Sequence, residues 1–180
     1  MTLPYQSRGV YNLELMNNPT HATVTVRKGK AGDASLLGQL ICALADYEHL
    51  ARPTAEALAR LERDAYGSTP RIDTWFGELN GQAVGYAVTF YTYSTFLALP
   101  TFYLEDVFVL PEFRGYKVGK ALFLHCAKTA YEQGCGRMEW QVLHWNEPAL
   151  DFYRHLGGQQ MQDWLPFRAT RDELAQMIER

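Results

Sequence analysis

The run LEDVFVLPEFRGYKVGK, which spans residues 104–120, joins a strand-forming segment to a glycine-bearing turn. Its first half is apolar and β-prone, and Pro111, which cannot donate a hydrogen bond to a sheet, marks the end of the strand. Gly115 and Gly119 follow, and a helix-forming run starts at Lys120. A turn that opens a helix presents unpaired backbone N–H groups at the positive end of the helix dipole. The segment therefore predicts an anion site, with phosphate as the usual ligand; an ordinary surface turn is the alternative.

Two familiar phosphate-binding loops do not fit this stretch. A Walker loop requires Gly-x-x-x-x-Gly-Lys-Ser/Thr, but Gly115 and Gly119 are one residue too close together and Ala121 lacks a hydroxyl. The dinucleotide fingerprint Gly-x-Gly-x-x-Gly does not occur there either. The expected phosphate therefore belongs to a different kind of ligand.

A pair of adjacent carboxylates, Glu105 and Asp106, interrupts the apolar strand. Such a pair is expensive to bury unless at least one member faces a polar cleft. Because side chains alternate along a strand, the two carboxylates should point to opposite faces and have different roles. The alternative is an edge-strand pair that is exposed to solvent.

The loop resembles the Arg/Gln-x-x-Gly-x-Gly/Ala motif with which GCN5-related N-acetyltransferases (GNAT) hold the pyrophosphate of acetyl-CoA. Arg114 and Gly119 match this motif, whereas Lys117 stands where the first motif glycine is expected. The flanking sequences resemble the spermidine/spermine branch of the family: YLEDVFV, WNEPALDFY, LADYEHLA and FYTYS. These matches occur in order and are spread over about residues 24–168.

The resemblance implies that acetyl-CoA is the cosubstrate and that three segments bind it. Backbone groups of the strand would meet the pantetheine arm as an added strand would, the loop would hold the pyrophosphate, and an asparagine segment would add further contacts. A solvated basic turn and a simple helix N-cap before Pro148 are the alternatives for the loop and the asparagine. The cofactor-binding residues so implied are Val107, Phe108, Val109, Arg114, Gly115, Tyr116, Lys117, Val118, Gly119, Lys120, Asn146 and Ala149.

Transfer of an acetyl group from a thioester to an amine needs a proton acceptor and an acid for the departing thiolate. At pH 7 only about one in 2,500 molecules of an amine with a pKa near 10.4 is neutral. By resemblance, Glu105 is the base or orients a water near the amine, and Tyr153 is the acid. A phenol with a pKa of about 10 is still protonated at neutral pH and can donate. The alternative for Tyr153 is a helix tyrosine that only packs on the core.

The resemblance also places four residues near a cationic substrate: Tyr47, Glu48, Tyr93 and Asp106. An exposed helix end would equally explain the first two, and hairpin packing would explain the aromatic residue. Ser94 stands where the spermidine/spermine branch carries an acidic residue, so we expect a weaker preference for long polyamines.

Composition narrows the remaining classes of function. The 180 residues suffice for one domain with a core. The net charge of −3 does not indicate the basic surface that nucleic-acid binding requires. No apolar run approaches the roughly 20 residues of a membrane span, and the N-terminus lacks a secretion signal. Three cysteines without C-x-x-C spacing indicate reduced thiols, and no ligand cluster supports a metal site. We therefore expect a cytoplasmic protein without metal, and the resemblance adds a homodimer.

The chain is expected to consist of an extension, residues 1–22, and one acetyltransferase domain, residues 23–180. Strands mixed with helices predict an α/β or α+β fold with a mixed central sheet flanked by helices; the family's order of elements comes from the resemblance. Asn80-Gly81 predicts a hairpin turn, Asp33 and Thr54 predict helix N-caps, and Thr170-x-x-Glu173 predicts a capping box. The predicted strands are 23–27, 74–79, 83–93, 104–110 and 138–143, with a strand pair within 159–168, and helices lie at 34–47, 54–65, 120–133, 149–156 and after 170.

The sequence thus predicts an N-acetyltransferase that acts on a small cationic amine, such as a diamine or polyamine. No cysteine lies in the motif, so the amine should attack acetyl-CoA directly. Two alternatives stay open. One is an enzyme for amino acids, thialysine-like amines, aminoglycosides or protein termini, and the other is a non-catalytic module that binds acyl-CoA.

Overall fold

The structure is a computed structural model that describes residues 22–179. The extension predicted for residues 1–22 lies outside the described residues, apart from Ala22. The chain divides into two compact units; the first ends at Gln141 and the second begins at Val142.

The first unit is built on a five-stranded mixed sheet with the strand order β1-β2-β3-β4-β5. Strands β1 to β4 pair antiparallel, and β5 pairs parallel to β4. Its strands are β1 (Val24–Lys28), β2 (Asp73–Leu79), β3 (Gln82–Ser94), β4 (Leu99–Val109) and β5 (Arg137–Trp140). Its helices are α1 (Ala34–Tyr47), α2 (Ala55–Tyr66) and α3 (Val118–Glu132).

Helix α3 packs on the sheet and reaches β1 to β4. Gly77 in β2 allows this approach, since a Cβ there would lie 2.5 Å from Cγ1 of Val118 in the first turn of the helix. Val118 and Leu122 of the helix are fully or almost fully buried against the sheet. The packing therefore fixes the N-terminal end of α3, where the phosphate loop was predicted.

The turns and caps of this unit follow the sequence signals closely. Asn80 and Gly81 both have positive φ, 52° and 80°, as the predicted two-residue hairpin requires. Thr54 accepts a hydrogen bond from the N–H of Ala57 and caps α2 as predicted. Asp33 occupies the N-cap position of α1 without making the side-chain cap bond, because its carboxylate binds Arg27 instead.

The ladder between β3 and β4 contains a register shift beside the predicted carboxylates. Val88 pairs with Asp106, yet the next residue, Thr89, pairs with Leu104. Glu105 is therefore the extra residue of a β-bulge, which simple alternation along the strand does not anticipate.

The second unit contains α4 (Glu147–His155) and α5 (Arg171–Ile178). Asn146 accepts a hydrogen bond from the N–H of Ala149 and caps α4, and the predicted capping box of Thr170 and Glu173 is confirmed. The strand pair predicted within residues 159–168 is wrong, since no strand is assigned to that stretch. An extended segment becomes a strand only when a second strand pairs with it. The apolar pattern of one segment does not show whether such a partner is present.

Candidate active site

The predicted phosphate loop connects the end of β4 to the start of α3. A 3₁₀ turn, Pro111–Phe113, buries Phe113 and anchors the loop. Gly115 has φ 89°, a conformation that favours glycine. Lys117 is the N-cap of α3 and adopts the left-handed conformation, with φ 67° and ψ 12°. The helix begins at Val118, two residues earlier than predicted. The motif position at which relatives are expected to carry glycine thus keeps a left-handed backbone with lysine in its place.

Arg114 leaves the loop toward the end of α1. Its Nε donates a hydrogen bond to the carbonyl oxygen of Val109 at 3.2 Å. The centre of its guanidinium lies 4.4 Å from the centroid of the Tyr47 ring and 5.7 Å from that of Phe108. The side chain is exposed, so it can also meet a ligand at the loop.

The edge of β4 that faces β5 is open next to this loop. Strand β5 pairs with β4 only from Thr101 to Leu104. Within residues 22–179, no further strand pairs with that side of Val107, Phe108 and Val109, whose other side pairs with β3. An extended ligand that carries amide groups fits such an edge as an added strand would. The edge and the loop therefore form a continuous surface that suits an extended arm ending in a phosphate.

The two adjacent carboxylates of β4 have different environments, whereas their predicted difference in role stays a prediction. Glu105 is exposed at the bulge, whereas Asp106 is partly buried. Burial raises the pKa of Asp106 to about 6, and the negative charges of Glu105 and Glu48 add to this rise. The hydroxyl of Tyr86 opposes it by donating a hydrogen bond to Oδ2 at 3.3 Å. Asp106 is therefore a carboxylate whose charge changes near neutral pH.

The end of α1 contributes to the same cluster. The Tyr47 ring packs on Phe108, with 6.1 Å between the ring centroids. Glu48 is the C-cap of α1, and burial raises the pKa of its carboxyl. Glu48, Glu105 and Asp106 thus form an acidic cluster, which can attract an ammonium group.

Tyr86 is a residue of this cluster that sequence reasoning missed. Its side chain is fully buried in β3, and its ring lies 6.4 Å from that of Phe108. The available signal was a phenol in an otherwise apolar strand, because a buried hydroxyl usually has a polar partner. The pattern alone does not identify that partner.

Tyr93 is not brought into the acidic cluster. It pairs with Pro100 in the β3–β4 ladder, five positions beyond Val88, the partner of Asp106. At the rise of an extended strand this is roughly 15 Å. Its predicted contact with substrate stays a prediction.

The remaining predicted site residues lie on α4 in the second unit. Tyr153 is partly buried, and its ring packs edge-on against Phe152 with 5.1 Å between the centroids. Asn146 and Ala149 are joined by the N-cap hydrogen bond of 3.3 Å. The cap role considered for Asn146 is confirmed, and a cofactor contact by the same residue stays a prediction.

Residues 22–179 contain neither a cluster of metal ligands nor a helix that could span a membrane. No group of three or more His, Cys, Asp and Glu side chains in this range is arranged to hold a metal ion. None of the helices in it has the length and apolar character required to cross a membrane.

Comparison with known proteins identifies the family. A family model, the acetyltransferase (GNAT) family, matches residues 41–157. Thialysine N-epsilon-acetyltransferase of Bos taurus is 33% identical over 167 residues, which cover 87% of this chain and 98% of the relative. Spermidine/spermine N(1)-acetyltransferase-like protein 1 of Homo sapiens is 28% identical over 162 residues, covering 84% of this chain and 23% of the relative. An aminoglycoside N-acetyltransferase in complex with CoA has a similar fold, with a TM-score of 0.68, 19% identity and coverage of 86% and 99%.

The chain belongs to the GNAT family, as its sequence predicted. It is therefore an acetyl-CoA-dependent N-acetyltransferase that acts on amines, and the mixed sheet with flanking helices is the fold expected from the resemblance. The family model crosses the boundary between the two units. That residues 23–180 form one domain stays a prediction.

Proposed function

We propose that the enzyme acetylates a primary amine of a small cationic substrate, such as a diamine, a short polyamine or a lysine-like amine. The observation that carries the proposal is the acidic cluster of Glu48, Glu105 and Asp106, where α1 ends beside the bulge of β4. A substrate with a second ammonium group gains from these carboxylates, whereas a neutral amine does not.

Acetyl-CoA would supply the activated acetyl group, and its binding is assigned to the loop and the open edge of β4. The edge residues Val107 to Val109 would meet the amide-bearing arm. The loop from Arg114 to Lys120 offers the unpaired N–H groups of the first turn of α3, and Arg114 adds a positive charge. Asn146 and Ala149 are proposed to contact the cofactor by family resemblance.

In the proposed reaction the amine nitrogen attacks the acetyl carbonyl carbon after losing a proton. Glu105 would accept that proton, directly or through a water, since it is exposed at the bulge. As the carbon–sulfur bond breaks, Tyr153 would donate its phenolic proton to the CoA sulfur. Asp106, together with Glu48 and Tyr47, would hold the cationic part of the substrate.

Direct attack is supported by the state of the most buried thiol. Cys126 lies inside α3 with no exposed surface, and burial raises its pKa to about 12. Burial also raises the pKa of Cys135. A thiol acts as a nucleophile in its deprotonated form, so neither group suits an acetyl-cysteine step.

Two amine classes compete as the substrate. The Bos taurus relative is named for thialysine, which favours an amino acid with a cationic side chain. The Homo sapiens relative is named for spermidine and spermine, which favours a polyamine. The acidic cluster is compatible with either, because both carry more than one amino group.

The test is release of free CoA thiol from acetyl-CoA with a panel of amines. Diamines, short polyamines, lysine, thialysine, aminoglycosides, monoamines without a second charge and peptides would be compared at one pH. We expect the highest kcat/KM with a small amine that carries a second positive charge. Activity confined to neutral amines or peptide N-termini would contradict the proposal.

We further propose that the enzyme is a cytoplasmic homodimer that binds neither nucleic acid nor membranes. Family resemblance supports the dimer, as do the exposed side chains of Trp164, Leu165 and Phe167 in the second unit. Cys42, Cys126 and Cys135 form no disulfide, which suits a reducing compartment. Light scattering coupled to size-exclusion chromatography should give twice the chain mass; a monomer at micromolar concentration would contradict the dimer.

A further inference from the structure

The Tyr86 hydroxyl and the Asp106 carboxylate form a hydrogen bond that has no role in the proposed reaction. Tyr86 has no exposed surface, and its hydroxyl lies 3.3 Å from Oδ2 of Asp106. The two residues come from neighbouring strands, β3 and β4, on the same side of the bulge at Glu105, where Tyr86 pairs with Phe108 and Val88 pairs with Asp106. The contact is therefore set by the sheet register and does not depend on a loop.

The direction of this hydrogen bond is fixed. Burial raises the pKa of Tyr86 far above its usual value, and the charge of Asp106 raises it further. The phenol therefore keeps its proton and acts as a donor throughout the pH range in which the enzyme would work. A donor strengthens its bond to a carboxylate when the carboxylate is charged, so this contact favours the ionised form of Asp106.

Other ionisable groups around the pair act in the opposite direction. Glu105 on the same strand and Glu48 at the end of α1 both disfavour the charge of Asp106. Glu48, the C-cap of α1, and Cys42 within α1 also lie near enough to Tyr86 to raise its pKa. Burial has the largest effect, and like the acidic neighbours it disfavours the charged form of Asp106. Among the influences identified on Asp106, the phenol is the one that favours its charged form.

The ring of Tyr86 packs against other aromatic side chains. It packs on Phe108 at 6.4 Å, and Phe108 packs in turn on Tyr47 at 6.1 Å between ring centroids. The three rings come from β3, β4 and the last residue of α1; β4 carries Glu105 and Asp106, and Glu48 directly follows α1.

We propose that Tyr86 is a positioning residue for substrate recognition, whose hydroxyl orients the Asp106 carboxylate and keeps it charged so that the site accepts an ammonium group near neutral pH. The role in recognition rests on the proposed function, whereas the effect of Tyr86 on Asp106 does not. Tyr86 itself would not touch the substrate, since its side chain is fully buried.

The first test compares wild type with Tyr86→Phe in two measurements. Titration of the Asp106 carboxyl carbon by NMR, in protein labelled at aspartate, should move upward by about 0.5–1 pH unit, as expected for loss of one hydrogen bond to a charged group. The KM for a cationic amine should rise about threefold near pH 6.5, converge with wild type above about pH 8, and leave kcat at saturation unchanged. Because the amine ionises identically in both assays, its ionisation does not affect the ratio of the two KM values.

Tyr66→Phe is the matched control. Tyr66 is partly buried, and its hydroxyl bonds with Oγ1 of Thr74 at 3.0 Å, so the same substitution removes a phenol hydrogen bond to a neutral group instead of a carboxylate. This variant should leave the Asp106 titration and the pH dependence of KM unaltered. Placing Tyr86→Phe in an Asp106→Asn background should produce no further pH-dependent change in KM.

A second variant keeps the test decisive if Tyr86→Phe does not fold. Site-specific 3-fluorotyrosine at position 86 is a stronger donor of nearly the same size, so it should move the Asp106 titration downward. An Asp106 titration that neither variant moves would overturn the proposal. So would a pH-dependent KM change on Tyr86→Phe that is equally large in the Asp106→Asn background.

The titration of Asp106 needs no substrate. A wild-type enzyme that releases no CoA with cationic amines would refute the proposed function, while the titration would still decide the role of Tyr86.

Discussion

The guanidinium of Arg114 stacks over the ring of Tyr47 at 4.4 Å, while its Nε bonds to the carbonyl oxygen of Val109 at 3.2 Å. One side chain therefore connects the proposed phosphate loop, the end of β4 and the last residue of α1. Because Glu48 follows Tyr47 directly, the proposed cofactor site and the acidic cluster share a structural element.

Arg114→Ala should weaken acetyl-CoA binding by about 1.5–3 kcal/mol, the range for hydrogen bonds to charged groups. The KM for the amine should rise as well, since the contact with Tyr47 is lost; an exposed cation–π contact contributes about 0.5–1 kcal/mol. Calorimetry with acetyl-CoA and steady-state kinetics measure the two effects. Arg71→Ala, which removes an exposed arginine elsewhere, is the control. Unchanged acetyl-CoA affinity in Arg114→Ala would remove this residue from the cofactor site.

Lys117→Gly should raise the free energy of unfolding by about 0.5–1 kcal/mol. The lysine holds a φ of 67°, a conformation that glycine adopts without steric cost, and the gain is reduced by the greater freedom of glycine in the unfolded chain. Lys120→Gly, three residues further along, is the matched control. It lies inside α3 and should lower stability by about 1 kcal/mol. Denaturant unfolding measures both variants; a loss of stability in Lys117→Gly would contradict the backbone argument.

Lys117 also illustrates what sequence reasoning can and cannot reach. The motif identifies the loop, yet Lys117 departs from the motif, and the backbone conformation of a single residue cannot be read from its side chain. The bulge at Glu105 and the bond between Tyr86 and Asp106 depend on strand register, which alternation within one strand does not determine. Local signals such as Asn80-Gly81 and Thr170-x-x-Glu173 succeeded because the residues that act lie within a few positions of one another.

Tyr153→Phe should reduce kcat by about 10²–10⁴-fold, the usual contribution of general acid catalysis. The ring and its contact with Phe152 remain, so stability and acetyl-CoA affinity should persist. Tyr131→Phe, which alters a tyrosine that is 86% exposed, controls for loss of a hydroxyl. Wild-type turnover in Tyr153→Phe would show that another group protonates the thiolate.

Asp106→Asn should stabilise the protein at neutral pH by up to about 3 kcal/mol, at about 1.36 kcal/mol for each unit by which the pKa is raised. The folded-state pKa of Asp106, about 6, lies above its ordinary value of 3.8, so the native state binds the proton more tightly and ionisation becomes a penalty as pH rises from about 4 to about 6. The gain in Asp106→Asn should therefore vanish below about pH 4. Thermal unfolding at pH 4 and pH 7 measures it.

Asp33→Asn provides the control with the opposite sign. The bond to Arg27 lowers the pKa of Asp33, so this carboxylate stabilises the fold above its unfolded-state pKa and loses that contribution as pH falls. Asp33→Asn should destabilise at pH 7 and do so less in acid. Equal responses of the two variants to pH would contradict the assigned environments.

The central claim is that carboxylates beside the bulge of β4 select a cationic amine and deprotonate it. The most direct measurement is kcat and KM for a short diamine and for the matched monoamine, which lacks the second positive charge, in wild type, Asp106→Asn and Glu105→Gln. We expect Asp106→Asn to raise KM for the diamine alone, and Glu105→Gln to lower kcat about 10²-fold or more for both amines. A wild-type enzyme that uses both amines equally well, with a diamine KM indifferent to Asp106→Asn, would contradict this account.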